Sequence, residues 1–523
     1  MKKPELLDFA QERIKVLHYT WIAFFITFYV WFNMAPLATT MLKDMEWLTK
    51  EHLKILAICN VALTIPARIV IGALIDKYGS RVVFSGLMIF SAIPALFFAF
   101  GDNFTQLLIS RLVLGTVGAG FVIGIKMVSQ WFPPKMIGRA EGFYAGWGNF
   151  GSAWAAMTLP WVAITFFGDY LGLGSEGWRW ALAFNGLISL VYGIMYLFLV
   201  KDLPEGKKFV GAKKTAPMMV TSYGDLIQYL VWSIPLVGAM AILTWRISNV
   251  QIDGEPILSP TIVTVIYVVL ALVYIAHAMK TLQINLPVLK KGVPEKDKYS
   301  WSSVAALNST YFANFGAELA VVSMLPMFFE LTFKSLTNSD GSTVMTATMA
   351  GIMAASFAFV NLFARPLGGL LSDKMKNRKN TMLIYMVGIT IGFVGMANIA
   401  TFDSATNTLM PMVNEAWWVG VAVLITVACS MFVQGAEGAT FAVIPMVNKK
   451  MTGQIAGMAG AYGNVGAVVY LVIYSMVDAV TFFWIIAGGA AISFLYCLVF
   501  LKEPEDSFTD ELDHSAHDDV SVN

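Results

Sequence analysis

The chain has 523 residues, of which 57% are apolar and only 13% charged, with a formal net charge of +1 at pH 7. A soluble domain is closer to half apolar and a quarter charged, so this composition indicates a polytopic membrane protein. The near-zero charge argues against a nucleic-acid partner. The three cysteines lie in apolar runs without disulfide or metal-ligand spacing, and no nucleophile–base set is visible. We therefore expect an all-α membrane protein that is not an enzyme and needs neither a metal nor a cofactor.

The predicted membrane spans form three groups along the chain, since about 20 mostly apolar residues cross a bilayer. Six runs lie near 18–40, 53–75, 81–101, 105–131, 140–168 and 178–200; two near 226–245 and 261–279; and six near 302–330, 345–371, 381–401, 416–440, 453–477 and 480–501. This predicts about fourteen spans, with a re-entrant or surface hairpin as the alternative for the central two. The resulting segments are an N-terminal six-helix bundle (1–203), a central linker with two extra spans (204–300), a C-terminal six-helix bundle (301–502) and an acidic tail (503–523).

Lysine and arginine concentrate on one side of this topology, which is the side that normally faces the cytoplasm. The stretch after the sixth span, 201–214, alone holds five lysines, while most loops on the opposite side are poor in them. Lys43 and Lys50, in the first opposite loop, are the exception. We expect both termini to be cytoplasmic. We also expect the protein to lie in the plasma membrane of a bacterium, which is its inner membrane.

Two arginines lie within apolar runs at equivalent points of the two halves. Arg68 and Arg365 each precede a glycine by four residues and an aspartate by eight. A charge inside the membrane is costly, so we interpret the pair as a site that holds an anion between the halves. The alternative is that each arginine pairs with a carboxylate and serves packing. The glycine and aspartate at these spacings are Gly72 and Asp76 in the first half and Gly369 and Asp373 in the second.

A second internal match is rich in glycine. The run 146–151 (GWGNFG) recurs as 461–466 (AYGNVG), which indicates parallel repeats related by an axis along the membrane normal. Glycines at such spacing let helices touch backbone to backbone. Asn149 and Asn464 either donate an amide to an anion or hydrogen-bond between helices. The glycines interpreted as packing positions are Gly146, Gly148, Gly151, Gly460, Gly463 and Gly466.

The first span after the central linker carries an acid midway along its length. Tyr311 and Glu318 share one helical face by their spacing. Burial favours the protonated form of Glu318, whereas a neighbouring cation favours the ionised form. Glu318 is therefore either a proton carrier or a member of a fixed ion pair, in which Lys126 is a candidate partner. Glu437, on a later span, has the same two interpretations.

The turn 72–81 (GALIDKYGSR), with a looser copy at 369–378, resembles the signature between helices 2 and 3 of major facilitator transporters. A glycine allows close helix approach there, and the aspartate can pair with a base or cap a helix. The segment is interpreted as a gating latch rather than a substrate site. Its members are Gly72, Asp76, Arg81, Gly369 and Asp373.

The two arginines and the Gly-Asn repeats together resemble the nitrate signatures of the nitrate/nitrite porter family, a branch of the same superfamily. The stretches 126–134 (KMVSQWFPP) and 437–445 (EGATFAVIP) fit that branch too. The resemblance covers both six-helix halves but not residues from about 204 to 300. It implies the major facilitator fold, with Arg68 and Arg365 as anion ligands and Tyr311 as a hydroxyl donor to the anion. Phe32 and Trp147 are candidate walls of the pocket.

Nitrate suits such a site because it is planar, monovalent and weakly hydrated, and a guanidinium offers donors in a fork that matches two oxygens. We expect a monomeric secondary transporter of nitrate, and of nitrite, that works by alternating access in the lipid bilayer. Proton symport with Glu318 as the carrier is slightly favoured over nitrate/nitrite exchange, since Lys126, Glu318 and Glu437 lie in the membrane. The alternatives of another class are a facilitator of a different small organic anion and a non-transporting anion sensor.

Overall fold

The computed structural model describes residues 5–132, 134–205, 218–252, 254–294, 298–337, 341–448 and 451–503, without the side chains at 5, 76, 134–139, 252, 255, 373, 445, 452 and 453. Within these residues, fourteen helical segments are long and apolar enough to cross a membrane. The prediction of about fourteen spans, grouped as six, two and six, is therefore confirmed.

The N-terminal half contains the first six spans. Its helices are α1 (Glu12–Trp31), α2 (Ala38–Asp44), α3 (Lys50–Ala62), α4 (Thr64–Tyr78), α5 (Ser80–Ala99), α6 (Phe104–Leu114), α7 (Gly120–Trp131), α8 (Pro134–Trp161) and α9 (Gly177–Leu199). Short 3-10 helices cover Glu5–Leu7, Ala35–Leu37, Gly115–Ala119 and Gly174–Glu176, and a π-helix covers Val162–Tyr170.

The central linker contributes a helical hairpin of α10 (Tyr223–Ser248) and α11 (Pro260–Lys291), joined through the short strands β1 (Gln251–Ile252) and β2 (Glu255–Pro256). Ser222 and Ser259 cap the two helices, each accepting a hydrogen bond from a first-turn amide. α10 packs against α3, α12 and α17, whereas α11 packs along α10 on the outside. The most apolar stretch of α11 has no buried residue, as expected of a helix that faces lipid.

The C-terminal half contains the last six spans. Its helices are α12 (Trp301–Thr332), α13 (Ala347–Phe359), α14 (Asn361–Met375), α15 (Arg378–Ala397), α16 (Trp417–Val447), α17 (Thr452–Tyr474) and α18 (Ala479–Phe500). A hairpin of β3 (Ala400–Asp403) and β4 (Thr408–Pro411) joins α15 to α16, with Ala400 opposite Pro411.

Both arginine-bearing spans are broken at matched points. The break falls at Leu63 between α3 and α4 and at Val360 between α13 and α14. Each break lies five residues before the arginine of its half, Arg68 or Arg365. The helix is therefore interrupted about one turn before each arginine, at a single residue that keeps α-helical backbone angles.

The two halves meet along α8 with α13 and α14, and along α3 and α4 with α17. Glycines make these approaches possible. A side chain on Gly351 would collide with the carbonyl of Ala156, and one on Gly146 would lie 3.0 Å from the carbonyl oxygen of Asn361. Below, the side of the bundle that holds residues 5 and 503 is called the terminal side, and the opposite side is called the far side.

Candidate anion-binding site

Arg68 lies in α4 of the N-terminal half, and its side chain reaches the C-terminal half. Its side chain is 6% exposed, and its Nη1 donates to the carbonyl oxygen of Gly460 in α17 at 2.5 Å. Nε and Nη2 have no hydrogen-bond partner among the residues that the structure describes. A buried cation with two unused donors is unfavourable unless a ligand completes it, so this guanidinium is suited to hold an anion.

Arg365, its counterpart in α14, is 5% exposed but well partnered. Nε donates to Oδ1 of Asn361 at 2.9 Å, and Nη2 is 3.3 Å from Oε2 of Glu318. Glu437 from α16 forms a second ion pair with the same nitrogen, and Tyr311 shares a hydrogen bond with the guanidinium. The two repeat-matched arginines therefore have different surroundings: one is ion-paired, and the other has free donors.

One aromatic ring connects the two arginines. The ring centroid of Phe315 in α12 lies 5.8 Å from Cζ of Arg68 and 5.5 Å from Cζ of Arg365. Phe121 in α7 lies 5.6 Å from Cζ of Arg68. Tyr311, one turn from Phe315, interacts electrostatically with both guanidinium groups. Rings within about 6 Å stabilise a cation through their faces, so these rings support the two charges where water is excluded.

Asn149 and Asn464 occupy matched positions in α8 and α17 and are fully buried. Nδ2 of Asn464 donates to the Gly460 carbonyl at 3.2 Å, which is the same oxygen that Arg68 uses. Neither polar atom of the Asn149 side chain has a hydrogen-bond partner within the described residues. Asn149 lies three residues after Gly146, where α8 touches the start of α14. An unpaired buried amide costs about 1–3 kcal/mol, so a polar ligand beside Asn149 would relieve it.

The glycines of the two repeats lie where neighbouring helices come closest. A side chain on Gly148 would overlap the ring of Phe24, and one on Gly151 would meet the backbone of α1. In α17, a side chain on Gly463 would strike the rings of Tyr311 and Phe315. Gly466 and Gly460 likewise face the backbone of α12 and the guanidinium of Arg68, respectively. The glycines thus let α8 approach α1 and let α17 approach α12, the helix that carries Tyr311 and Glu318.

The acids of the site form a network around Arg365. Glu318 is 1% exposed, and its Oε1 accepts from Nδ2 of Asn361 at 2.5 Å. Glu437 is fully buried beside the same arginine. Lys126, on α7, is exposed. When both carboxyl groups are ionised, they balance the charges of the two arginines, so the empty site is formally neutral.

The two aromatic residues expected to wall the pocket pack on other aromatic rings. Phe32 is buried against Phe28 and Trp31, and its role stays a prediction. Trp147 is 36% exposed and packs on the ring of Trp21. Two residues along a helix correspond to a turn of about 200°, so Trp147 lies on the face of α8 opposite Asn149. This placement argues against Trp147 as a pocket wall.

The predicted latch lies on the terminal side. The backbone amide of Arg81 donates to Oδ1 of Asp202 at 2.8 Å, and its Nε is 3.7 Å from Oδ2. In the other half the amides of Arg378 and Lys379 donate to Glu503 at 2.9 and 2.7 Å. In each half, an acid that follows the last span caps the helix after the latch turn, and this stabilises the helix start.

The side chains of Asp76 and Asp373 lie outside the described residues. Gly72 has open space around its Cβ position, and that of Gly369 lies 4.0 Å from the carbonyl oxygen of Gly438. The gating role of these residues stays a prediction.

Sequence reasoning missed three parts of the site. Asn361, which bridges Glu318 and Arg365, precedes the arginine by four residues, and this helical spacing was visible in the sequence. Phe121 carries no distinguishing signal among 37 phenylalanines. The acids that cap the latch helices, Asp202 and Glu503, could have been found from their matched positions after the last span of each half.

Comparisons with known proteins identify the family and the fold of this chain. A family model described as Major Facilitator Superfamily matches residues 20–307 and 307–517. The chain is 42% identical to the nitrate/nitrite transporter NrtP of Picosynechococcus sp., covering 95% of this chain and 94% of that one. It is also 42% identical to NrtP of Nostoc punctiforme (96% and 95% covered), and 24% identical to the high affinity nitrate transporter 2.5 of Arabidopsis thaliana (90% and 75%).

Among solved structures, the chain is similar to a D-xylose-proton symporter, with a TM-score of 0.60, 13% identity and coverage of 95% of this chain and 99% of that chain. The inward-open xylose transporter XylE from E. coli gives a TM-score of 0.59 at 13% identity, with 94% and 97% covered. These structures share the fold, whereas the relatives share the sequence along nearly the whole chain. The chain is a multi-pass membrane transporter, not an enzyme, and it belongs to the nitrate/nitrite porter family of the Major Facilitator Superfamily.

Proposed function

We propose that this transporter carries nitrate, and nitrite, across the plasma membrane by alternating access. The observation that carries the proposal is the state of Arg68, which is buried between the halves with two unused donors. The names of the relatives supply the anion. We further propose that the protein acts as a monomer, with both termini on the cytoplasmic side of a bacterial inner membrane.

The unused donors of Arg68 suit a planar oxyanion. Nε and Nη2 lie on one edge of the guanidinium and point in parallel, so they can bind two oxygens of nitrate at once. Asn149, whose buried side-chain amide also has no partner among the described residues, is the candidate for the third oxygen. Nitrite has the same two-oxygen edge, which accounts for both ions being substrates.

The carboxyl groups around Arg365 support proton coupling. An anion that also binds Arg365 competes with Glu318 and Glu437 for its donors. A carboxylate that loses this partner is left buried without a cation, and binding a proton removes that cost. Glu318 is the proposed carrier, and Glu437 is the second candidate. In this symport cycle, nitrate enters with a proton and the neutral, ion-paired site returns empty.

Nitrate/nitrite exchange is the alternative. Exchange requires that the carrier change conformation only slowly when no anion is bound. This would follow if both arginines lacked partners in the absence of an anion. Arg365 has two acidic partners, so of the two arginines it is Arg68 whose Nε and Nη2 lack partners among the described residues. This difference favours symport over exchange.

Uptake into proteoliposomes distinguishes the two cycles. Nitrate entry is measured with and without internal nitrite, under an imposed pH gradient. We expect an acidic exterior to drive nitrate accumulation into vesicles that contain no exchangeable anion. Uptake that depends strictly on internal nitrite would establish exchange, and absence of transport for both ions would refute the proposed function.

A further inference from the structure

The inserted helix α10 is attached to the C-terminal half along most of its length. Oδ1 of Asp225, at its start, accepts from the backbone amide of Trp301 in α12 at 3.1 Å. Midway, the carbonyl of Trp232 accepts from the hydroxyl of Tyr462 in α17. The Trp232 ring also lies 5.6 Å from that of Tyr496 in α18. Because these contacts reach three helices of one half, α10 should move with that half as a unit.

At its far-side end, α10 reaches the other half through Arg246. This side chain is 7% exposed, and its Nη2 lies 2.7 Å from Oε1 of Glu51 in the first turn of α3. Its Nε donates to Oγ of Ser475, just after α17, at 2.8 Å. Ser475 belongs to the half on which α10 lies, whereas Glu51 belongs to the N-terminal half. Arg246 therefore joins the far-side ends of α3 and α17 across the boundary between the halves.

Other polar contacts between the halves lie on the same side. Nζ of Lys54 in α3 donates to the carbonyl of Val477 at 3.1 Å. Oγ1 of Thr39 donates to Oε2 of Glu330 at the end of α12 at 2.5 Å, and Nζ of Lys43 is 3.6 Å from Oε1. The far side is thus closed by hydrogen bonds and ion pairs. Such contacts can break in water at modest cost, which an apolar seam cannot do.

We propose that Arg246 is a positioning residue of the far-side gate, by which the inserted hairpin stabilises the conformation closed on that side. The inference rests on the proposed alternating access, since opening the far side must separate α3 from α17. Arg246 keeps Ser475 and loses Glu51 in that step. The two extra spans therefore act in the transport cycle by adding a contact between the halves that the twelve core spans do not supply.

The test measures far-side opening directly in the full-length protein. Spin labels are placed at Trp47, in the N-terminal half, and Met476, in the C-terminal half; both are exposed on the far side. The three native cysteines are buried. Electron–electron distance measurements in lipid, without substrate, then give the fractions of closed and open molecules.

Removing the contact should favour the open state. In Arg246→Gln and in Glu51→Gln, we expect the ratio of open to closed molecules, read from the longer and the shorter distance, to rise about three- to tenfold. This is the effect expected from the loss of a charged hydrogen bond at a partly exposed site. The double variant should add nothing to either single change, and the swap Arg246→Glu with Glu51→Arg should restore part of the closed fraction. The KM for nitrate supplied on the far side should fall with the open population while the maximal rate does not rise.

Arg179→Gln is the matched control. Arg179 forms ion pairs on the far side with Asp44 and Asp102, at 3.9 and 3.7 Å, but all three residues belong to the N-terminal half. Its loss should leave the distance distribution unchanged. Unchanged distances in Arg246→Gln, with transport intact, would refute the gate role and leave the proposed function standing. Failure of transport in the unmodified protein would refute the proposed function, while the distances would still report whether Arg246 holds the far side closed.

Discussion

At the scale of single residues, the two arginines that look alike in the sequence have different partners in the structure. Arg68 has unused donors, whereas Arg365 holds two carboxyl groups and an amide. The matched frames predicted where the arginines lie in each half. They could not predict this asymmetry, because Glu318 and Glu437 reach Arg365 from other helices.

Lysine at either arginine position should weaken nitrate binding, for different reasons. Arg68→Lys loses the two-donor edge, and we expect a drop in affinity on the order of 30- to 100-fold with an unchanged melting temperature. Arg365→Lys should also lower the melting temperature, because Glu318 and Glu437 lose a partner that satisfies both. Isothermal titration with nitrate and thermal unfolding in the same detergent measure the two effects. Near-normal affinity in either variant would contradict the two-arginine site.

The acid that carries the proton should be separable from the acid that only holds Arg365. In Glu318→Gln, acid-driven accumulation of nitrate should be lost, while exchange of labelled for unlabelled nitrate across the membrane continues. Since protonation drives uptake in the proposed symport cycle, the uptake rate of the unmodified protein should rise as external pH falls, and that of the variant should be nearly independent of pH. Glu437→Gln is the matched comparison. If the glutamine at 437 flattens the profile and that at 318 does not, the carrier is Glu437.

At the scale of elements, span number and order were predictable because each span needs about 20 apolar residues. The helix break at Leu63 has a signal in the sequence, because Pro66 in the first turn of α4 has no amide with which to continue the hydrogen bonds of α3. The break at Val360 has no such signal, since Pro366 lies six residues further on. The Gly-Asn repeats predicted close helix contacts. They did not predict which helices make those contacts, because that depends on how the helices pack in three dimensions. Trp147 lies only two residues from Asn149 in the sequence. Two residues along a helix correspond to a turn of about 200°, so the two side chains lie on opposite faces of α8.

Glycines on one helix should differ in tolerance according to what they face. Alanine at Gly463 would press on the rings of Tyr311 and Phe315, so we expect nitrate uptake to fall at least about tenfold, in line with the strain of overpacking. Gly457, six residues earlier in α17, has open space at its Cβ position and serves as the control. Comparable loss in both variants would indicate a general effect on the helix rather than displacement of Tyr311.

At the scale of the whole molecule, a cavity of about 870 Å³ opens on the far side at the boundary between the halves. Its lining includes Lys50 and Lys54 from α3 and Lys334 from just after α12, together with Glu51 and Asp478. The lysines exceed the acids by one, and a partly enclosed cationic surface attracts anions before they reach the gate.

Neutralising the exposed lysines of this cavity should therefore slow anion capture. In Lys50→Gln with Lys334→Gln we expect the KM for nitrate to rise about two- to fivefold at low salt, and the difference to vanish near 0.5 M salt, where the screening length is only a few ångströms. Lys280→Gln, on the exposed face of α11, is the control. A defect that persists at high salt would indicate direct ligation instead of attraction at a distance.

The neutrality of the empty site has a consequence for how the membrane potential acts. Two arginines and two ionised glutamates carry no net charge, so the unloaded carrier crosses the electric field without doing work. In the proposed symport cycle, the loaded step then carries whatever charge the protons add. Nitrate with one proton is electrically silent, whereas nitrate with two protons moves one positive charge, worth about 2.3 kcal/mol per 100 mV. Electrical currents recorded during uptake would thus count the protons that the acids around Arg365 release.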